Sequence, residues 1–213
     1  MEDKTKTLRQ WLGSGSINIF GRPFAGKDTQ SKNLSTIFHA PIISGGDIIR
    51  SSADQIEMQR VIDKGNLAPQ QDFLKLTIPY LSHEEYIGKP LILNSLGRWH
   101  GEEDPILNAA HVTRHPIKAV IHLNISEDDV WNRWEQAKKT NDRGYRNDDN
   151  DISIRNRLGE FKNKTLPVIE YYENRELLIT VDGVNAPDKI TQDILILLYE
   201  KIDAQKDQQK LSH

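Results

Sequence analysis

The chain has 213 residues, of which 37% are hydrophobic, with no cysteine, a mean hydropathy of −0.63 and a formal net charge of −3. That length suits one domain with an insertion, or at most two domains, and supports a substantial core. The composition excludes disulfides, thiolate chemistry and cysteine-ligated zinc, offers no apolar run long enough to span a bilayer, and gives no bulk positive charge for nucleic acid. The segment Met1 to Lys6 has mixed charge and leads into no apolar signal core, so a cytoplasmic location is expected.

Residues 1–15 read as a polar extension in which Leu8, Trp11 and Leu12 form one or two amphipathic turns, best explained as a docked N-terminal helix. Ile17-Asn18-Ile19-Phe20 reads as a buried strand. Gly21-Arg22-Pro23-Phe24-Ala25-Gly26-Lys27-Asp28-Thr29-Gln30 follows, then a helical pattern carrying Leu34, Ile37 and Phe38. Strand, glycine-spaced loop, Lys and helix is the arrangement that holds phosphate. Backbone N–H groups of the loop and helix start point at an anion, and the Lys adds a full positive charge. The general pattern has Ser or Thr directly after the Lys; here Asp28 stands there and Thr29 comes one later. The competing reading is an ordinary strand–turn–helix corner.

The first helix is expected to end near His39, where Ala40-Pro41 breaks it. Pro41 to Ser44 reads as a second strand, and Gly45-Gly46-Asp47 as a turn with Asp47 capping a helix through Arg50. Residues 53–64 and 69–81 have helical patterns, separated at Gly65-Asn66. Residues 90–94 read as a third strand, Ser95 to Arg98 as a loop, 104–113 as a helix and 119–123 as a fourth strand. Ser126 with Asp129 resembles a capping box opening a helix over 126–139. After a polar stretch from Lys138 to Asn150, a long helix through Ile152, Ile154, Leu158 and Phe161 is expected to bend near Pro167. Residues 177–181 read as a fifth strand, 187–205 as the closing helix, and the tail from Gln205 as frayed. His111 and His115 are expected to be exposed on a shared helix face, Trp131 and Trp134 to pack, and Trp99 to sit in the core, at its rim or beside the site.

Alternating buried strands and helices imply an α/β fold, a five-stranded parallel sheet covered on both faces. Ligands bind such sheets at the carboxyl ends of the strands. The phosphate loop, Asp47, Arg98 and the loop after the fourth strand therefore gather at one edge.

With these pieces placed, the chain resembles the adenylate kinase family of nucleoside monophosphate kinases from about Ile17 to about Asp182. The segments that carry the resemblance are Gly21 to Gln30, Ile43 to Arg50, Gly65 to Pro69, Leu93 to Arg98, Arg146 to Asp149 with Arg155 to Leu158, and Val181-Asp182-Gly183. The family separates its loop Lys from its Thr by one residue, as here. The resemblance implies a P-loop nucleoside triphosphate hydrolase-type three-layer fold. Within a kinase domain spanning 16–213, it implies a small helical monophosphate-binding insertion at 46–75 and a short lid at 137–149. It implies reversible transfer of the terminal phosphate of ATP to a nucleoside monophosphate, by family frequency AMP. Magnesium accompanies ATP, no zinc is needed, and the partners are these two nucleotides, with no nucleic acid or membrane. A monomer is expected.

In that resemblance Phe24, Ala25, Gly26, Lys27, Asp28 and Thr29 hold ATP, and Arg133 lies against its base. Gly45, Arg50, Asn66, Leu67, Ala68, Ser95, Arg98 and Glu102 bind the monophosphate, with Arg146 and Arg157 closing over the transferred group. Lys27, Arg98, Arg146 and Arg157 form the catalytic set, and Thr29, with Asp28 through water, forms the magnesium side. The chemistry agrees. Phosphoryl transfer needs alignment, charge screening and exclusion of water, and planar guanidinium groups suit phosphate. A solvated helix charge is the competing reading for Arg133 and Arg157. Lys138, Lys139 and Arg143 are the short lid's candidate cations.

Four departures stand out. Phe24 and Asp28 occupy usual glycine positions, Asn94 stands where the family has an Asp that orients metal-bound water, and Ser95-Leu96-Gly97-Arg98 replaces Gly-Phe-Pro-Arg. One hypothesis is that Asp28 supplies the carboxylate Asn94 lacks. Gly45 stands where adenylate-specific relatives usually have Thr, and Glu102 aligns near the base-reading Gln. The alternatives are a UMP/CMP or other monophosphate kinase, and a catalytically weakened nucleotide-binding regulator.

Overall fold

A computed structural model describes residues 2–51, 70–140 and 150–211. In chain order the elements are α1 (Glu2–Leu12), β1 (Ser16–Gly21), α2 (Lys27–Phe38), β2 (Ile42–Ser44), α3 (Gly45–Arg50) and α4 (Gln70–Leu81). There follow a short 3-10 turn at Glu84–Tyr86, β3 (Leu91–Asn94), α5 (Glu103–Val112), β4 (Ile117–Asn124) and α6 (Glu127–Thr140). Then come α7 (Asp151–Glu160), a π-helical segment (Phe161–Thr165), α8 (Leu166–Asn174), β5 (Leu178–Asp182) and α9 (Pro187–Leu211). The expected helix over 53–64 lies outside the described residues, as do parts of the insertion and lid.

The sheet has five strands in the order β2-β3-β1-β4-β5. All of its pairings are parallel. Helices cover both faces, as in P-loop nucleoside triphosphate hydrolase folds. Along β1 alternate side chains serve opposite layers. Ile17 and Ile19 join a core with Leu8, Leu12, Leu34, Ile194 and Leu198, whereas Phe20 joins another with Ile43, Ile106, Phe161 and Tyr172. Leu8 and Leu12 are almost fully buried, so α1 is docked on the first of these layers.

Several boundaries differ from expectation, each for a local reason. Gly45-Gly46-Asp47 is the first turn of α3 rather than a preceding turn. Ser44 is the N-cap, and Asp47 reaches back to accept from the Ser44 N–H at 2.9 Å, while the Asp47 N–H donates to Ser44 Oγ at 3.2 Å. This reciprocal box satisfies two otherwise orphaned donors. The box at Ser126 and Asp129 forms as expected. Before Pro167, where a bend was expected, the structure has a π segment at Phe161–Thr165. Proline offers no N–H and crowds the carbonyl four residues back, and the Leu166 N–H bonds five residues back to Phe161 O. The closing helix runs to Leu211, because no Gly or Pro interrupts 205–211. Arg114 adopts a left-handed φ of 67° after α5 ends, turning His115 inward. His115 is 2% exposed and its Nδ1 pairs with Ser14 O at 3.0 Å, so only His111 is an exposed histidine of that pair.

Candidate active site

A cavity of about 230 Å³ opens at the carboxyl edge of the sheet. Its walls include Lys27 from the start of α2, Gly45 and Ile49 from α3, and Phe73 from α4. The end of β3 adds Asn94, the loop after it adds Ser95, Arg98, Trp99 and Glu102, and α7 adds Arg157. Lys27, Gly45, Ser95, Arg98, Glu102 and Arg157, expected from scattered segments, are thus brought to one cavity. Arg50 ends α3. Asn66, Leu67, Ala68, Arg143, Arg146 and the Asp148-Asp149 pair lie outside the described residues.

The loop after β1 is built to turn sharply. Gly26 and Phe24 both have left-handed backbones, with φ of 91° and 61°. Phe24 therefore keeps a glycine-like path at a cost of about 1–3 kcal/mol. Its ring is 9% exposed within the core that contains Ala25, Ile125 and Val130, and that burial offsets about 2–3 kcal/mol. The substitution leaves the loop's route intact and sends the ring inward. Ala25 is fully buried beside it. Lys27 Nζ donates to Gly21 O and Arg22 O, both at 2.9 Å, which fixes the ammonium at the inner rim of the loop.

Arg133, on α6, donates to Phe24 O at 3.0 Å and to Gly183 O at 2.6 Å. It ties the phosphate loop to the turn after β5 and is no freely solvated helix charge. The close packing explains Gly183: a Cβ there would lie 2.8 Å from Ile125 Cγ2. Arg22 braces the same loop from another side, donating to Ile125 O at 2.8 Å with its guanidinium 5.1 Å from the Phe161 ring.

Asp28 and Thr29 lie exposed in the first turn of α2, where the helix N-terminus favours a carboxylate. Asn94 Nδ2 donates to Asp28 Oδ1 at 2.8 Å. The two departures from the family pattern are therefore in direct contact across the loop. Thr29 and Asp28 suit magnesium, which keeps much of its water and is usually held by one or two carboxylates together with substrate phosphates. Among the described residues no larger cluster of His, Asp or Glu could hold a metal ion.

The loop after β3 owes its shape to a residue that composition and periodicity did not flag as functional. Asn18 is fully buried within an otherwise apolar strand. Its Nδ2 donates to Leu96 O at 2.8 Å and its Oδ1 accepts from the Leu96 N–H at 3.1 Å. The one detectable signal was a polar side chain between Ile17 and Ile19. Ser95 has φ of 57° and donates to Ile19 O through both N and Oγ. Gly97 has φ of 74°, and a Cβ on it would lie 2.7 Å from Ile106 Cγ1. These contacts aim Arg98 at the cavity. Asn18→Leu is expected to strand the buried Leu96 groups, costing about 3 kcal/mol by urea denaturation.

Arg98 is half-buried. Burial first, and then the neighbouring Arg157 cation, lower its pKa to about 10, while Glu160 and Glu102 oppose that shift. It stays cationic at neutral pH. Trp99 forms part of the cavity wall, with the Lys164 ammonium 3.7 Å from its ring centroid. Trp131 and Trp134 pack edge to face at 5.4 Å, as expected of packing groups. His122 on β4 is 7% exposed and its Nε2 has no partner. Burial, then the Arg22 and Lys27 cations, push its pKa down to about 4, so it remains neutral beneath the phosphate loop.

No described helix is long and apolar enough to cross a membrane. The family model described as "Adenylate kinase" matches residues 19–177. A Kocuria rhizophila protein named adenylate kinase is 31% identical, the match covering 84% of this chain and 96% of that one. A relative of the same name from Nocardioides sp. is 29% identical over 81% of this chain and 91% of its own. One from Methanococcoides burtonii is 28% identical over 84% and 96%. A phosphate loop, converging cations and this five-stranded parallel sheet accompany a match over most of the sequence, and the chain belongs to the adenylate kinase family of phosphotransferases.

Proposed function

We propose that this protein transfers the terminal phosphate of ATP reversibly to AMP, yielding two ADP. The observation that supports this most strongly is that Lys27 shares one cavity with Arg98 and Arg157, so that cations from three segments converge where two phosphate chains would meet. In this reading Phe24 to Thr29 and Arg133 hold ATP, while Gly45, Arg50, Asn66, Leu67, Ala68, Ser95, Arg98 and Glu102 hold AMP. Lys27 screens the donor's terminal phosphates. Arg98, Arg146 and Arg157 stabilise charge on the transferred group, where guanidinium forks fit phosphate oxygens. Magnesium, when bound with ATP, neutralises charge between donor phosphates, and Thr29 and Asp28 are the residues that would hold it, the latter through water. The helical insertion at 46–75 and the lid at 137–149 would exclude water around the aligned substrates. The same reading takes the chain as a cytoplasmic monomer, for which sedimentation should give 24.4 kDa.

The test is ADP formation from ATP with a panel of monophosphates. AMP should be the preferred acceptor. Preference for UMP or CMP would reassign the acceptor, and absence of turnover with all of them would refute the reading. The Asp28 carboxylate beside Lys27 is the observation that favours the second reading, nucleotide binding without efficient turnover.

The Asp28–Asn94 contact makes a separate prediction about magnesium. If Asp28 replaces the carboxylate missing at Asn94, Asp28→Gly should raise the magnesium requirement and lower turnover by about tenfold, the lower range for loss of an outer-shell metal partner. Asp28→Gly with Asn94→Asp should restore much of it. A double variant no better than the single contradicts the exchange.

A further inference from the structure

Between α7 and α8 the chain carries an irregularity that the catalytic set does not use. α7 ends at Glu160, and Phe161–Thr165 winds as a π-helix before α8 begins at Leu166. Such a turn holds an extra residue, and each residue added swings the side chains after it by about 100° around the helix axis. Turns of this kind are rare and frequent at functional sites. Each end of this one is fastened to a different part of the cavity's surroundings. Phe161 is 1% exposed, with its ring 5.1 Å from the Arg22 guanidinium of the phosphate loop and 6.2 Å from the His122 ring. Thr165 is also 1% exposed, and its Oγ1 donates to Arg98 O at 3.1 Å. One residue earlier, the Lys164 ammonium sits 3.7 Å from the Trp99 ring centroid and 2.7 Å from Glu160 Oε2. Successive residues of the π segment therefore hold successive residues of the loop after β3.

The Thr165 hydroxyl is not spent on its own helix. Thr165 is the N-cap of α8, where a threonine ordinarily accepts from a backbone N–H two or three residues on. It makes no such capping bond, and Pro167, two residues on, has no N–H to offer. The other local use, donation to a carbonyl three or four residues back, is passed over for Arg98 O, 67 residues away. The bond fills a gap in the loop's support. Asn18 and Ile19 hold the loop at Leu96 and Ser95, ahead of Arg98. Thr165 holds the peptide that leaves Arg98 itself. A buried carbonyl without a partner is costly, so without Thr165 that peptide would turn to find one and carry the Arg98 side chain with it.

We propose that Thr165 is a positioning residue for phosphoryl transfer: the π segment delivers its hydroxyl to the Arg98 carbonyl, and that bond sets where the Arg98 guanidinium meets the transferred phosphate. This rests on the role given to Arg98 in the phosphotransfer reading and adds the residue that holds it in place. Thr165 touches neither nucleotide. It acts through Arg98 alone, so its contribution to rate exists only while Arg98 has a guanidinium to place.

The experiment is a double-mutant cycle on the whole protein, measuring ADP formation from ATP and the preferred monophosphate. Thr165→Val keeps the branched shape and loses the hydroxyl. In the wild-type background it should lower kcat/KM for the monophosphate by about 10- to 100-fold, the range for a reacting group displaced by up to an ångström, with KM for ATP little changed. Thr165→Ser, which restores the hydroxyl, should recover most of that loss. In the Arg98→Ala background Thr165→Val should cost less than about twofold, the additivity limit for a residue that no longer has anything to position. Should Thr165→Val fail to fold, Thr165→Ala takes its place in the same cycle. An equal loss in both backgrounds is the mark of a merely structural threonine. That result, or no recovery in Thr165→Ser, overturns the inference and leaves the phosphotransfer reading standing. Absence of turnover by the wild type with every monophosphate overturns both.

Discussion

Lys27→Met is expected to lower ADP formation by about a thousandfold, since a unit charge at 4 Å in a site of effective dielectric near 20 is worth about 4 kcal/mol. The ammonium is held on Gly21 O and Arg22 O, so its position is preset and little reorganisation remains for the transition state. The loss should appear mainly in kcat, because charge on the transferred group develops during transfer. Methionine keeps the aliphatic stem, and the surrounding loop retains its other ties: Arg133 to Phe24 O and Arg22 to Ile125 O. Unfolding by urea should therefore change much less than turnover. Equal losses of stability and rate would assign Lys27 a structural role.

Arg98→Ala should follow closely, with kcat/KM for AMP falling by about 100- to 1,000-fold, the range for removing one preorganised donor from a reaction centre. ATP affinity should change little, because Arg98 stands on the loop after β3 and not on the phosphate loop. Arg98→Lys should recover only part of the activity. It restores the charge but not the planar fork. Stability gives an independent check. Burial and Arg157 both disfavour the Arg98 charge in the folded protein, so its removal should not destabilise the fold and should give a slight gain in urea midpoint. A marked loss of stability would show that Arg98 props the loop instead.

Much of this arrangement was legible because its signals are local. Ile17 to Phe20, residues 90–94 and residues 119–123 are largely apolar runs, and they mark the three central strands, of which β4 starts two residues earlier, at Ile117, and ends one later, at Asn124. Lys27, Arg98 and Arg157 were each marked by a short segment; the rule that parallel sheets bind at their carboxyl edge placed the phosphate loop and Arg98 together, whereas Arg157 was marked only by the family resemblance. What was not legible depends on partners distant in sequence. Asn18 reads as an irregularity in a strand until Leu96, 78 residues away, is seen to use both ends of its amide. His115 carried the spacing of a second surface histidine, but the end of α5 and the left-handed Arg114 turn it onto Ser14. Phe24 looked like a constraint on the phosphate loop. Its ring instead found room in the core, and the loop kept the conformation a glycine would have. The start of α3 was misplaced because a capping box uses its acidic member from inside the helix, at the third position.

The Asp28–Asn94 contact bears on whether the unusual loop works or has been silenced. An Asp next to the phosphate-binding Lys looks unfavourable toward anions, yet its carboxylate is bonded to the Asn94 amide across the loop. That leaves the charge near the side where a donor-bound cation would sit. The magnesium dependence of the single and double variants separates a relocated metal partner from an inhibitory charge.

The central claim is tested most directly by measuring ADP produced from ATP and AMP with magnesium, wild type beside Lys27→Met. Sustained formation of two ADP per ATP consumed, reduced by about a thousandfold in the variant, is the predicted result. Binding of both nucleotides with no ADP formed by the wild type would contradict it.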